Sequence, residues 1–407
     1  MNESSFFNQA TNGSGKETAK KDEKFSREEF DVLVRNIEIP SASEFEKKPK
    51  IEISDQGLEQ LEGLEKGIEV LKEGTGVMVV VRCWNKKPDE IKTFVERMEK
   101  FKKNIPNLQG VILVINNEGE KDNITEKSLT ESLADKKSEI PIVPIKVQNY
   151  TWTSGLNSAV GILNEMALKN DVPTDNIRVM NISFGVDLDE QELKTCNDDI
   201  EKNQFVVTAR KTSEGANPFE KKEMGEDLWK KFKDILRFPN EAELAELAYT
   251  MRNTFNVISL KNIVDLGGFN PLCNGEGRKF STTQPNPFFR HLDSMKESPV
   301  SIKGMEDVEF FMRLILGSLQ SGDNTVIKEL RKAMDNPVFY TDYDWNKMHE
   351  VSKIRKIGNE MTALSLIFSG LATKESVRTG KDGERKTVGL VKKMYVPKSM
   401  QDFYLRK

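Results

Sequence analysis

Four apolar runs, set apart by stretches with helical periodicity, constrain this chain more than any other feature. They are VMVVVRCW (Val77–Trp84), GVILVINN (Gly110–Asn117), IPIVPIKV (Ile140–Val147) and IRVMNISFGV (Ile177–Val186). Unbroken apolar runs of this length are the pattern of strands covered on both faces, as parallel sheets require. Between the first two, Pro88 opens a segment with Ile91, Phe94, Val95, Met98 and Phe101 at helical spacing. Between the last two, Ser154 is placed to cap a helix carrying Leu156, Ala159, Val160, Leu163 and Met166. Ahead of the first run, Ser54 caps a packing helix with Leu58, Leu61, Leu64, Ile68 and Leu71 on one face, and Gly74 stops it. The prolines of the third run favour an edge position. The alternation predicts an α/β fold with helices on both faces of one sheet.

Composition narrows the partners. With 407 residues and 37% apolar content the chain can bury a large core unaided. A net charge of −4 with acids and bases interspersed gives no broad basic surface, so neither nucleic acid nor an anionic membrane is an expected partner. Three distant cysteines form no disulfide framework, which points to a reducing, cytoplasmic setting. No run approaches the length of a membrane span. Residues 1–50 read as a flexible polar segment with a short helix around Arg27 to Val34, and 51–74 as the packing helix. Residues 75–330 read as the main domain. Residues 331–407 read as a helical C-terminal extension, carried by the stripe Trp345, Met348, Val351, Ile354, Ile357, Met361 and Leu364.

Chemistry concentrates in two acidic pairs. Asp187 and Asp189 leave the carboxyl end of the fourth run, where open α/β sheets bind ligands. Two carboxylates one residue apart can converge on a hard divalent cation, Mg2+ or Mn2+, that neutralises a leaving diphosphate. A solvated acidic turn, with Glu190 and Glu192 adding to it, is the other reading of the same residues. Glu306 and Asp307 open a helix with Val308, Phe311, Leu314 and Ile315 on its apolar face, where backbone N–H groups favour negative charge. Gly267 and Gly268 end a helical turn that needs left-handed or tightly packed backbone, and Phe269 can seal it.

Taken in order over roughly residues 75–320, these pieces resemble GT-A fold glycosyltransferases, most closely the inverting family 2. VVVRCWNKKPDEI carries the first-strand turn, and the resemblance implies donor contacts from Arg82, Trp84 and Asn85. Asn116 and Asn117 stand where the family holds the nucleoside with an acid. SGLNSAVGIL, with Asn157, is similar to the helix start that precedes the metal strand, and FGVDLD resembles the metal motif itself. NTFNVISLKNIVDLGGFN (Asn253–Asn270) looks like the acceptor-side strand, helix and turn, with Gly267, Gly268 and Phe269 at its end. GMEDVEFFMRLILGS (Gly304–Ser318) looks like the helix of the catalytic base, which would be Asp307 with Glu306 beside it. His349 is a third metal ligand by the same analogy. Residues 270–303, with Phe288 and Phe289, would form an acceptor loop.

The resemblance implies a metal-dependent, inverting transfer of one sugar from a nucleotide-sugar donor to an acceptor hydroxyl. Neither the Gln-x-x-Arg-Trp signature nor the spans of processive polysaccharide synthases are present. A GT-A-like protein that binds nucleotide sugars without catalysis is the alternative, since Asn116 and Asn117 replace the expected acid.

Overall fold

The computed structural model describes residues 25–37, 50–83, 86–116, 122–135, 139–148, 152–202, 205–207, 210–211 and 255–269. Isolated positions beyond these are 310, 311, 314, 328, 338–339, 376–379 and 385–388. The chain enters the fold through helix α1 (Arg27–Asn36), strand β1 (Lys50–Glu52) and helix α2 (Asp55–Glu69). Then follow β2 (Gly76–Cys83), α3 (Pro88–Asn104), β3 (Leu108–Asn116), α4 (Asp122–Asp135), β4 (Ile142–Gln148), α5 (Trp152–Lys169) and β5 (Ile177–Ser183). Helix α6 (Glu190–Lys202), β6 (Phe205–Val207), β7 (Phe255–Ser259) and α7 (Leu260–Asp265) complete the described main body.

One seven-stranded sheet runs β1-β4-β3-β2-β5-β7-β6. Strands β2 to β5 are parallel neighbours, whereas β7 is antiparallel to both β5 and β6, so the sheet is mixed. Burial follows from this layering. All eight residues of β2 are buried, because helices cover both faces. Odd-numbered β2 residues Val77, Val79, Val81 and Cys83 share a cluster with Ile91, Phe94, Val95 and Met98 of α3, Leu129 of α4 and Leu193, Cys196 and Ile200 of α6. Each large side chain so placed contributes about 1.5–3 kcal/mol. Helices α2 and α5 lie across the other face, over β2, β3 and β4.

The four expected strands and the helices after Ser54 and Pro88 are present. Ser54 Oγ accepts from the Gly57 N–H at 3.1 Å. Helix α5 departs from expectation. It begins at Trp152, so Ser154 lies in its first turn, and the Ser154 carbonyl accepts from Ser158 Oγ at 2.6 Å. The proline-bearing strand β4 is one position in from the edge: β1 pairs only with Lys146, Val147 and Gln148, beyond Pro144. On the β1 side no described strand pairs with Pro144, whose ring leaves no N–H to satisfy there, while on its other side Leu113 of β3 lies in register with it.

The boundary at residue 50 also moves. Phe30, Leu33 and Ile37 are buried at i, i+3 and i+7, and the capping box of Ser26 and Glu29 starts the helix that presents them. Residues 27–37 therefore belong to the packed body. Most of 331–407, including the apolar stripe, lies outside the described residues. What is described there is strand: Val338–Phe339 pairs with Arg210–Lys211, and Ser376–Thr379 forms a hairpin with Arg385–Val388. Among the described residues no helix is long and apolar enough to cross a membrane.

Candidate functional site

Winding direction locates the site. From β2 the chain proceeds to β3 and β4 on one side, then crosses back to place β5 on the other side of β2. The strand order reverses between β2 and β5, and the connections leaving their carboxyl ends diverge to open a crevice there. Cys83 ends β2 and Ser183 ends β5, with Arg82 and Ser183 in register. Trp84 and Asn85 directly follow Cys83 but lie outside the described residues, as does Asn117. Asn116 ends β3.

Alternation along these strands gathers polar residues on the α5 face of the sheet. Met180, Ile182 and Val257 belong to the α3 cluster, so Arg82, Asn181, Ser183 and Asn256 point the opposite way. Arg82, Asn181 and Asn256 are buried, and Asn181 lies directly opposite Asn256 across the β5–β7 ladder. An inner sheet face is ordinarily apolar, so buried amides there call for polar partners. Among the described residues Asn256 Oδ1, and Asn164 Nδ2 on α5, have no hydrogen-bond partner. Leaving such an atom buried costs about 1–3 kcal/mol. Sequence reading passed over Asn181 and Asn256. The available signal was a polar residue inside an otherwise apolar run, in NISFGV and again in FNVIS.

The loop after β5 is firmly held. Phe184 stacks on Phe94 with ring centroids 4.8 Å apart, and Lys86 Nζ lies 4.8 Å from the same ring's centroid. Arg97 Nη1 donates to the Phe184 carbonyl at 2.6 Å. Asp187 forms an ion pair with Lys100 at 3.0 Å and approaches Arg97 Nε at 4.0 Å. Asp189 is the N-cap of α6. Its Oδ1 accepts from the Glu192 N–H at 2.8 Å, and its own N–H donates to Glu192 Oε2 at 2.8 Å. This is a capping box.

These contacts revise the reading of the acidic pair. Asp187 is neutralised by cations from α3, and Asp189 stabilises a helix start, which accounts for the spacing without a metal. Among the described residues no group of three or more His, Cys, Asp or Glu is placed to hold one. His349, expected as a third ligand, lies outside the described residues. As they stand, one oxygen of each carboxylate is engaged, Asp187 Oδ1 by Lys100 and Asp189 Oδ1 by the start of α6. The cap predicts a separation of variants: Asp189→Ala is expected to lower stability by about 1 kcal/mol, while Asp189→Asn, itself a good N-cap, leaves it nearly unchanged. Urea unfolding of both variants checks this, and equal losses would remove the capping role.

Three other expected pieces come together. Helix α7 ends in a Schellman motif: the Gly267 N–H donates to the Val264 carbonyl at 2.8 Å and the Gly268 N–H to the Ile263 carbonyl at 2.9 Å. Gly267 and Gly268 have φ of 75° and 74°, a region costly to residues with a Cβ. The turn delivers Phe269 to α5. There Asn157 Nδ2 donates to the Phe269 carbonyl at 2.9 Å, and Asn157 Oδ1 accepts from the Phe269 N–H at 2.8 Å. Both halves of a buried amide thus hold one backbone unit. Asn157, expected on the donor side, is a positioning residue for the Gly-Gly-Phe turn. Phe269 in turn packs on Phe310, with ring centroids 4.7 Å apart, and Phe310 meets Phe311 edge to face at 5.7 Å.

Phe310, Phe311 and Leu314 are buried helical positions. Two residues of sequence, Val308 and Glu309, separate Asp307 from Phe310; Glu306 and Asp307 themselves lie outside the described residues, as do residues 270–303 with Phe288 and Phe289. The sequence-distant segments around Asn157, Phe269 and Phe310 are therefore joined by direct contact. No protein-family model matches the chain, and no curated protein matches it.

Proposed function

We propose that this protein is a nucleotide-sugar-dependent glycosyltransferase of the GT-A type, moving a single sugar onto an acceptor hydroxyl. The observation that carries the reading is the contact chain Asn157–Phe269–Phe310, which ties the Gly-Gly-Phe turn to the helix that follows Glu306 and Asp307. Support comes as well from the mixed sheet, whose order reverses between β2 and β5. The donor nucleotide belongs at that reversal, outside the carboxyl ends of β2 and β5. Asp307 is the base that takes the proton from the acceptor hydroxyl as its oxygen attacks the anomeric carbon, and Glu306 orients the acceptor. One displacement of this kind inverts the anomeric centre. Metal dependence belongs to the proposal on the resemblance alone, because Lys100 and α6 already engage Asp187 and Asp189; no step is derived through a metal.

A second reading is favoured by that same engagement: a protein of this fold that binds nucleotide sugars without turning them over. A thermal-shift panel of nucleotide sugars, with and without manganese, followed by donor hydrolysis and transfer assays, tests both. A donor present at a hundred times its dissociation constant stabilises the native state by about 2.7 kcal/mol, a readily measured shift. The expected result is stabilisation by one donor class together with measurable donor turnover. Stabilisation without turnover selects the second reading, and no stabilisation by any nucleotide sugar removes both.

A further inference from the structure

A cavity of about 400 Å³ opens between α1 and α5, lined by Phe25, Val32, Leu33, Asn36, Glu165 and Lys169 together with Ser26, Glu28 and Glu29. Its volume is in the range of small-molecule sites, and its wall combines an apolar bed with a few polar groups, as such sites do. It is separate from the crevice: eight residues of α5, about 12 Å at the helical rise, divide Glu165 from Asn157.

Its charges are unequal. Lys169 is fully engaged, 2.9 Å from Glu65, 3.5 Å from Glu29 and 4.6 Å from the centroid of the Phe25 ring. Glu29 is held by Ser26 in the capping box. Glu165 has neither a hydrogen bond nor an ion pair among the described residues, although it is half-buried, and burial raises its pKa above the ordinary carboxylate value. The cavity thus presents an unpartnered carboxyl beside apolar surface, with Glu28 adding further negative charge and no free cation among its lining residues to balance them. Phe25 already receives the Lys169 ammonium on its face, which leaves Glu165 as the group in need of a partner.

We propose that this cavity binds a small organic cation, a primary amine whose apolar body lies on Val32 and Leu33 and whose ammonium pairs with Glu165. An ammonium supplies the partner that the half-buried carboxylate lacks, and a charge-assisted hydrogen bond between them is stronger than one to a neutral group. Free carboxylates and phosphates are disfavoured by the three surrounding glutamates.

Isothermal titration of the full chain at pH 7 with three probes of one shape tests this: tryptamine, its neutral counterpart tryptophol and the anion indole-3-acetate. Tryptamine is expected to bind at least about tenfold more tightly than tryptophol, with indole-3-acetate weakest, and Glu165→Gln is expected to make tryptamine and tryptophol equal. The thermal midpoint of Glu165→Gln should not fall, since the substitution removes a desolvated carboxyl. Val32→Lys, at a lining position that is 48% exposed and so tolerant of change, places a competing ammonium at the cavity and should also weaken tryptamine binding. Tryptophol binding as tightly as tryptamine, unchanged tryptamine affinity in both variants, or no saturable binding of any probe overturns the proposal.

Discussion

Asn157→Asp is expected to destabilise the protein by about 3 kcal/mol at neutral pH, within the range for disrupting a buried hydrogen-bonded group that gains a charge. The wild-type amide both donates to the Phe269 carbonyl and accepts from the Phe269 N–H. An aspartate keeps the acceptor but turns a second oxygen toward that carbonyl, in a place where the Asn157 side chain is buried. Burial and the facing carbonyl both favour the protonated acid, so its folded pKa lies above that of the unfolded chain. The folded state then binds the extra proton, and stability is recovered as pH falls through the raised value; the deficit is complete above it. Protonated, the acid again donates to Phe269. Asn157→Ala lacks this rescue, because it leaves the Phe269 N–H and carbonyl bare at every pH. Urea unfolding of the two variants between pH 4 and 8 distinguishes them. An Asp variant as stable as wild type at neutral pH, or one whose deficit persists unchanged at low pH, would contradict the bidentate role.

Asp307→Asn is expected to reduce sugar transfer by about 10²-fold or more while leaving donor binding intact. The substitution is nearly isosteric and retains hydrogen bonding, yet its amide accepts no proton at neutral pH. Glu306→Gln should cost less, since an orienting contact survives in the amide. The measurement pairs turnover with the thermal shift given by the donor that the nucleotide-sugar panel selects. Loss of turnover with a preserved donor shift identifies a base acting after binding. The reverse ranking of the two variants moves the base to Glu306. Unchanged turnover in both reduces the pair to helix-start charges, whose stabilisation of the backbone N–H groups would be their whole contribution.

The sheet and its helices were legible because they rest on periodicity. VMVVVRCW is continuous and became a strand buried on both faces; the spacing of Ile91, Phe94, Met98 and Phe101 became the buried face of α3. Gly267 and Gly268 announced a left-handed turn, and both adopt positive φ. Helices α4 and α6 were not singled out: the former carries Leu129 as its fully buried hydrophobic, and Leu193, Cys196 and Ile200 of the latter follow directly on an acidic turn. The short strand β1 escaped as well, since three residues are too few to show alternation.

Side-chain partners were not legible. The spacing of Asp187 and Asp189 describes a metal pair and a helix cap equally well, and the choice between them lies in Lys100, 87 residues away in sequence, and in where α6 starts. The amide of Asn157 could not be assigned to Phe269 across a separation of 112 residues. What the sequence by itself determined is the set of elements, because backbone hydrogen bonding and the burial of a repeated apolar face are local properties of a segment. Tertiary structure alone decided the strand order β4-β3-β2-β5, the inward turn of Asn181 and Asn256 toward α5, and the contact of Phe269 with Phe310. Each of those depends on which distant surfaces pack together, and no periodicity within a segment encodes the identity of its neighbour.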